Sequence, residues 1–176
     1  MNWYQLSNSN SIDSPALLLY KERIQQNINR AIEMIGDVQL LRPHVKTNKT
    51  AEVCAMMMAA GITKFKCATI AEAEMLAMLK ANDVLLAYQP VGPKAARLLQ
   101  LVQQYPHTSF SCVTDILETA RALSALFSAA EKNIAVYIDL NTGMNRSGIK
   151  PAHAFAVAKG LLRLPGIQFK GLHAYD

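Results

Sequence analysis

The sequence has only three cysteines, Cys54, Cys67 and Cys112, and they are widely spaced along the chain. None of them belongs to a CxxC pair or to a cysteine–histidine pair with the spacing of a metal site. A disulfide framework and a structural zinc site are therefore excluded as the features that organise the fold. We expect three free thiols in the core, where uncharged cysteine side chains are commonly found.

Long apolar runs are also missing from the sequence. No segment approaches the roughly 18 apolar residues that a membrane-spanning helix requires, and the start "MNWYQLSNSNSIDSP" lacks the basic and apolar regions of a signal peptide. Hydrophobic residues make up 51% of the chain and charged residues 18%, as in ordinary globular proteins. We therefore expect a cytoplasmic protein that does not bind membranes.

Clusters of basic residues and glycine-rich phosphate loops are absent as well. The net charge is +5, but the 18 lysines and arginines are scattered and are not grouped with aromatic residues. This distribution disfavours nucleic acid as a partner and is compatible with a small anionic ligand. Neither GxGxxG nor GxxxxGKS/T occurs, which disfavours a doubly wound nucleotide-binding sheet.

The sequence does contain a regular alternation of short apolar runs and amphipathic helical segments. The clearest helix is predicted over residues 21–35, where isoleucines recur at helical spacing and Gly36 provides the stop. Asp115 and Glu118 have the spacing of a capping box at the start of another helix. The predicted strands are residues 16–20, 38–46, 64–69, 83–88, 108–114, 134–140 and 167–175.

These alternating units predict an α/β fold built on a parallel sheet. The strands read as continuous apolar runs, which suits parallel strands that are covered on both faces. From the second strand onward, their spacing is typical of a (β/α)8 TIM-type barrel. Such a barrel usually needs about 250 residues. We therefore expect residues 1–176 to form one domain, the N-terminal part of a longer barrel with about six of its strands present.

Lys46 closes the second predicted strand, and a lysine at the end of a buried strand is costly unless its charge is used. In TIM-type barrels, the residues that do chemistry lie at the carboxyl ends of the strands. An amine packed beside another cation favours its neutral form, which can react as a Schiff-base nucleophile. The alternative is a lysine whose stem merely reaches from the sheet to water.

The segment "DLNTGMNRSG", residues 139–148, leads from a predicted strand into a turn that presents Arg146. Gly143 and Gly148 permit backbone angles that other residues resist, so this loop can approach a ligand closely. Arg146 would then offer a planar set of donors to a phenolate or a carboxylate. The alternative is an arginine that pairs with Asp139 or Asp176.

Five segments of the chain resemble a known family in their order and spacing. They resemble the N-terminal barrel of the D-threonine aldolase and D-serine dehydratase group, which is related more distantly to alanine racemase. The resemblance covers residues 14–176, and it implies a barrel of the alanine racemase N-terminal kind with pyridoxal 5'-phosphate as cofactor. The segments are "RPHVKTNKT", "AAGITKFKCATIAEAEML", "AYQPVGPKAARL", "IDLNTGMNRSGI" and "GLHAYD".

The resemblance implies roles for particular residues. Lys46 matches the lysine that carries the cofactor as an aldimine, while Lys49 belongs to the turn that follows. Arg146 matches the arginine beside the phenolic oxygen of the cofactor ring, and Tyr175 matches the aromatic side chain that packs on the pyridine face. Gln89 falls where the group tends to place an amide at a strand end, and it is expected to bind the cofactor.

One position departs from the family pattern, because Asn48 stands where these sequences commonly have a histidine. An amide holds a hydrogen bond but does not take up a proton at neutral pH. His44 and His173 are the nearby residues that remain as candidates for the site.

The resemblance implies a pyridoxal-phosphate-dependent lyase, of the aldolase or dehydratase type, that acts on β-hydroxy D-amino acids through a lysine aldimine. An amino-acid racemase and a non-enzymatic carrier of pyridoxal phosphate are the alternatives. The family further implies a homodimer and a divalent metal held by a C-terminal β domain that this chain does not contain. No residue of this chain is assigned to the metal.

Overall fold

The computed structural model describes residues 2–175. The short 3-10 helices are Ser9–Ser11, Val38–Leu40 and Val45–Thr47. The α-helices are α1 (Lys21–Ile35), α2 (Ala51–Ala59), α3 (Ile70–Met78), α4 (Pro93–Gln104), α5 (Leu117–Ala129) and α6 (Pro151–Leu161). The strands are β1 (Lys64–Cys67), β2 (Asp83–Leu86), β3 (Ser109–Thr114), β4 (Ile134–Asn141) and β5 (Ile167–Tyr175). Among these residues, no helix has both the length and the apolar character needed to cross a bilayer.

The five strands form one sheet in the order β1-β2-β3-β4-β5, and each neighbouring pair is parallel. Consecutive strands are therefore neighbours in space, and each is joined to the next through one of the helices α3 to α6. A doubly wound sheet would instead reverse its strand order at a switch point. The predicted α/β fold is confirmed, and this strand order is that of an incomplete barrel.

The core lies between the sheet and the helices that cover its outer face. Phe65, Val84 and Val136 are fully buried on three of the strands, and Leu76 and Leu98 are fully buried on α3 and α4. Burying a side chain of this size stabilises the fold by about 1.5–3 kcal/mol. This packing fixes the directions of the strands, so that their carboxyl ends lie at one edge of the sheet.

The first long helix has the bounds and the apolar face that its sequence predicts. Ile28 of α1 is buried, and Ile24 and Ile32 pack against the core on the same face. The helix ends at Gly36, whose φ of 79° is a conformation that glycine adopts without steric cost.

The prediction of a strand over residues 38–46 is wrong, because this segment forms two 3-10 turns joined by extended residues. Within residues 2–175, the strand-like pairing of this segment with the sheet is one bridge between His44 and Lys66. Two features of the sequence explain the difference. Pro43 has no backbone N–H to offer a neighbouring strand, and the carboxylate of Asp37 accepts a backbone hydrogen bond two residues ahead that starts the first turn.

The prediction of a strand over residues 16–20 is also wrong. These residues are assigned to no strand, and the side chain of Leu17 is 83% exposed. An apolar run forms a strand only where a partner strand satisfies its backbone. Within residues 2–175 the sheet therefore contains five barrel strands, and the bridge between His44 and Lys66 stands in place of the sixth expected strand.

The expected capping box at Asp115 and Glu118 is absent as well. Helix α5 has Ile116 at its N-cap without a side-chain hydrogen bond. The carboxylate of Asp115 instead accepts a hydrogen bond from the backbone N–H of Gly148, at 3.1 Å. A long-range partner has therefore replaced the local one that the sequence pattern predicted.

The three cysteines are buried and unpaired, as predicted from their spacing. Burial raises the pKa of Cys54 to about 11 and that of Cys112 to about 12, and it also raises the pKa of Cys67. These thiols remain protonated at neutral pH and are part of the core.

Candidate functional site

A pocket lies at the carboxyl ends of the strands, where the barrel fold concentrates functional residues. It brings together five of the six side chains that the sequence singled out, and Gln89 is the exception. The residues that line the pocket are His44, Lys46, Lys66, Ala68, Ala87, Tyr88, Asp139, Arg146, Ser147, His173 and Tyr175.

Lys46 lies in the 3-10 turn that follows the bridge to β1. Val45 is fully buried and anchors this turn, while Lys46 itself is exposed at the pocket. The Nζ atom of Lys46 lies 5.7 Å from the centroid of the Tyr175 ring. Within residues 2–175 this amine has no hydrogen bond or ion pair, so nothing in the described structure competes with a ligand for it.

Lys49 has a different environment. Its φ of 51° places it in a tight turn before α2, and its Nζ atom lies 3.5 Å from the Oε1 atom of Glu72. Glu72 is buried, whereas the Lys49 side chain is 65% exposed. Lys49 therefore neutralises a buried carboxylate from the protein surface and does not line the pocket.

Asn48, the departure from the family pattern, has a structural partner. Its Oδ1 atom accepts a hydrogen bond from the backbone N–H of Thr50, at 3.1 Å. Its backbone oxygen accepts a second hydrogen bond from the Thr50 hydroxyl, at 2.6 Å. The amide thus supports the turn that starts α2, a role that local Asx hydrogen bonds commonly serve.

The loop after β4 is folded back so that Arg146 faces the pocket. The Oδ1 atom of Asn141 accepts hydrogen bonds from the backbone N–H groups of Gly143 and Asn145, at 3.2 and 3.1 Å. Gly148 has a φ of 87°, and a Cβ atom there would lie 2.6 Å from the carbonyl carbon of Leu140. Only glycine permits this close return of the loop onto its strand.

Arg146 has no ion pair within residues 2–175. In particular it does not pair with Asp139, which the sequence suggested as a partner. The Asp139 carboxylate is instead hydrogen-bonded to His173, and Asp176 lies outside the described residues. The guanidinium of Arg146 is therefore available to a ligand from the side of β4.

Asp139, His173 and Lys66 form a continuous hydrogen-bonded chain along one wall of the pocket. The Nδ1 atom of His173 donates to the Oδ1 atom of Asp139 at 2.6 Å, because a carboxylate can only accept. The Nε2 atom of His173 lies 2.7 Å from the Nζ atom of Lys66. Lys66 was not among the residues predicted for the site. Its position two residues after Lys64 on β1, with buried Phe65 between them, is the signal that places it on the inner face.

His44 is the acceptor that orients the turn carrying Lys46. Its Nδ1 atom accepts a hydrogen bond from the backbone N–H of Lys46, at 3.2 Å, so the turn requires an unprotonated Nδ1. Burial, followed by the charges of Lys46 and Lys66, lowers the pKa of His44 from 6.5 to about 4. His44 is therefore uncharged at neutral pH and serves as an acceptor at the pocket floor.

This depressed pKa predicts a pH dependence of stability. Because the unfolded state protonates His44 more readily, its contribution is fully present above about pH 6.5 and is lost as pH falls toward about 4. We expect the free energy of unfolding of full-length protein, measured with denaturant at pH 7.5 and pH 5, to fall less in His44→Asn than in the wild type. His153→Asn, at an exposed position on α6, should keep the wild-type dependence. Equal losses in all three proteins would contradict the role of His44.

Gln89 does not line this pocket. Its Oε1 atom accepts hydrogen bonds from the hydroxyls of Thr114 and Thr119, at 2.6 and 2.7 Å, and from the backbone N–H of Asp115 at 3.2 Å. The amide thus links the end of β2 to the start of α5. The sequence predicted correctly that Gln89 follows a strand. It did not indicate Thr114 and Thr119 as partners of the side chain, because they are 25 and 30 positions away in the sequence.

Comparison with known proteins supports this fold. The family described as "Alanine racemase, N-terminal domain" matches residues 20–176. The D-threo-3-hydroxyaspartate dehydratase of Delftia sp. (strain HT23) is 30% identical over 141 residues, which are 79% of this chain and 36% of the relative. The D-threonine aldolase of Arthrobacter sp. is 28% identical over 167 residues, 93% of this chain and 43% of the relative.

Solved structures agree with these matches. The D-threonine aldolase from Filomicrobium marinum superposes with a TM-score of 0.85 at 28% identity, covering 94% of this chain and 45% of that one. Alanine racemase of Clostridium difficile 630, at 17% identity, covers 88% of this chain and 42% of that one with a TM-score of 0.74, which shows a common fold. The chain spans less than half the length of these relatives. The resemblance found in the sequence is confirmed.

Proposed function

The chain belongs to the alanine racemase N-terminal domain family, which implies pyridoxal phosphate as cofactor, and from this premise we propose its function. It forms the cofactor-binding part of a lyase that cleaves β-hydroxy D-amino acids. One observation carries the proposal: a lysine amine without a partner in residues 2–175, an arginine and an aromatic ring meet in one pocket at the carboxyl ends of the strands. Relatives named as a dehydratase and an aldolase, both acting on hydroxylated D-amino acids, support the reaction class.

The residues of the pocket fit pyridoxal phosphate in their chemistry. The amine of Lys46 is without a partner in residues 2–175 and suits the aldehyde. The guanidinium of Arg146 suits the phenolic oxygen, and the ring of Tyr175 provides an apolar face for the pyridine. When bound, the cofactor supplies an electron sink that weakens the bonds at the α-carbon of an amino acid.

The protein's own groups determine how such a ligand is held. The turn around Lys46 is fixed by buried Val45 and by the acceptor His44, so the amine projects from a rigid base. The fold of the loop after β4 places Arg146 in the lining of the same pocket. When its amine is not bound to a ligand, the Nζ atom of Lys46 can hold or accept a proton within the pocket that it lines.

Further features of the whole protein follow from the same family and are part of the proposal. We propose that the full-length protein is a cytoplasmic homodimer and that a C-terminal β domain holds a divalent metal. Among residues 2–175, no group of three or more His, Cys, Asp or Glu side chains has an arrangement that would hold a metal ion. Gel filtration with light scattering, and metal analysis of the full-length protein, test these two features.

Product analysis tests the reaction itself. The full-length protein with pyridoxal phosphate should convert a β-hydroxy D-amino acid such as D-threonine or D-serine. Glycine and an aldehyde as products identify an aldolase, whereas ammonia and a 2-oxo acid identify a dehydratase. Conversion of D-alanine to L-alanine without either lyase reaction would instead establish the racemase alternative. Stable cofactor binding without turnover of any of these amino acids would favour the carrier alternative.

A further inference from the structure

Lys66 is a second lysine of the pocket, and its position is determined by β1. The neighbouring Phe65 and Cys67 are fully buried on the other face of the strand, so Lys66 is turned inward and is half-buried. Its Nζ atom lies 4.9 Å from the centroid of the Tyr175 ring. The Nζ atom of Lys46 lies 5.7 Å from the same centroid. The two amines therefore approach the same aromatic ring.

The amine of Lys66 is held in place by Asp139 on β4 and His173 on β5, two strands at the other end of the strand order from β1. Asp139 is 6% exposed and accepts a hydrogen bond from Nδ1 of His173. In the tautomer whose proton is on Nδ1, the Nε2 atom accepts from Lys66. A protonated amine carries three donors, and within residues 2–175 the amine of Lys66 has this one hydrogen-bond partner, so two donors are left for a ligand in the pocket.

The charges around the pocket are not balanced. Three cationic side chains, Lys46, Lys66 and Arg146, line it, and Asp139 is the only carboxylate among its described lining residues. Burial and the nearby charge of Lys46 lower the pKa of Lys66, while Asp139 raises it. Lys46 and Arg146 are exposed, whereas Lys66 is half-buried. A half-buried cation is costly unless nearby negative charge compensates it, and a bound anion reduces this cost.

We propose that Lys66 binds an anionic oxygen of the ligand, and that Asp139 and His173 position its amine for this contact. The oxygen belongs to the cofactor or to the carboxylate of the amino acid, because both bring negative charge into this pocket. Since this role presumes the proposed function, the experiment must report on binding as well as on turnover. Lys66 is then a ligand-binding residue in addition to Lys46 and Arg146.

Two substitutions at Lys66 separate its charge from its bulk in the full-length protein. Lys66→Met keeps an unbranched apolar stem without the ammonium, and Lys66→Arg keeps a positive charge. The matched control is Lys64→Met on the same strand, because the Lys64 amine bonds to the backbone oxygen of Gln39 at 2.9 Å and lies outside the pocket.

The affinity of the apo-protein for pyridoxal phosphate, from an absorbance titration, and the KM for D-threonine distinguish the two sources of the anionic oxygen. Losing one charge-assisted contact should weaken binding by about 10- to 100-fold. If Lys66→Met weakens cofactor binding, the oxygen belongs to the cofactor. If KM rises by this factor at unchanged cofactor affinity, it belongs to the amino acid. Lys66→Arg should recover part of the loss, and Lys64→Met should behave as the wild type.

A labelling experiment on the wild type keeps the inference testable if a variant does not fold or if no amino acid is turned over. Acetic anhydride modifies exposed lysines, and mass spectrometry of the peptides gives the rate at Lys66 and at Lys64. Pyridoxal phosphate, or D-threonine added to the cofactor-loaded protein, should slow the modification of Lys66 and leave the rate at Lys64 unchanged. Equal rates at Lys66 with and without both ligands would overturn the proposal, whatever the protein's reaction proves to be.

Discussion

Lys46→Ala in the full-length protein is expected to abolish turnover and covalent trapping of pyridoxal phosphate. The alanine has no amine, so the cofactor aldehyde loses its attachment point, and activity should fall by roughly a factor of 10³ or more, as expected when a nucleophile is removed. The measurement has two parts. Borohydride reduction of the wild type followed by peptide mapping should locate the label on Lys46, and kinetics of the variant should give the loss of turnover.

Lys49→Ala is the control for this experiment, since it removes an amine only three residues away. Lys49 pairs with the buried carboxylate of Glu72, so its loss should lower the stability of the protein, but it removes no side chain that lines the pocket. We expect most of the label and most of the turnover to remain. Label recovered on Lys49, or an active Lys46→Ala protein, would show that the chemistry belongs to the other lysine.

The parallel arrangement of the sheet could be predicted from the sequence because it depends on local patterns. Runs such as the one that forms β4 are apolar on both faces, which suits strands covered by helices or by the barrel interior. Helical segments of regular length separate these runs. The order of the strands then follows from the short connections, and with it the meeting of Lys46, Arg146 and Tyr175 at one edge.

The first barrel segment could not be predicted in the same way. Residues 38–46 have the composition of a strand, but strand formation depends on available backbone partners. Pro43 removes one donor, and the hydrogen bond to Asp37 bends the chain earlier. What remains of the strand is the bridge at His44, which is sufficient to place Lys46 at the pocket.

Gln89 and Lys66 show why side-chain positions within the site are harder to predict than strand ends. Gln89 was expected to contact the cofactor, but three donors from β3 and α5 hold its oxygen. Lys66 lies in the middle of the predicted strand 64–69 and was not predicted as a residue of the site. Its contact with His173 joins residues 107 positions apart, and only the assembled sheet brings them together.

Arg146→Leu is expected to weaken binding of pyridoxal phosphate to the full-length protein by about 10- to 100-fold, which corresponds to about 1.5–3 kcal/mol for one charge-assisted hydrogen bond. The reason is that Arg146 lines the same pocket as Lys46, although 100 residues separate them in the sequence. Without the guanidinium, a phenolate in the pocket is less stabilised, so the absorption band of the bound cofactor should also change. A spectral titration of the apo-protein measures both quantities.

Two comparisons make the result for Arg146 specific. Arg163→Leu removes an arginine that is exposed beyond α6 and far from the lining of the pocket, so its cofactor affinity and spectrum should match those of the wild type. Arg146→Lys keeps the charge but loses the planar set of donors, and it should recover only part of the affinity. If Arg146→Leu binds the cofactor with unchanged affinity and spectrum, Arg146 is a structural residue of its loop, and the phenolic oxygen must be stabilised by another group of the site.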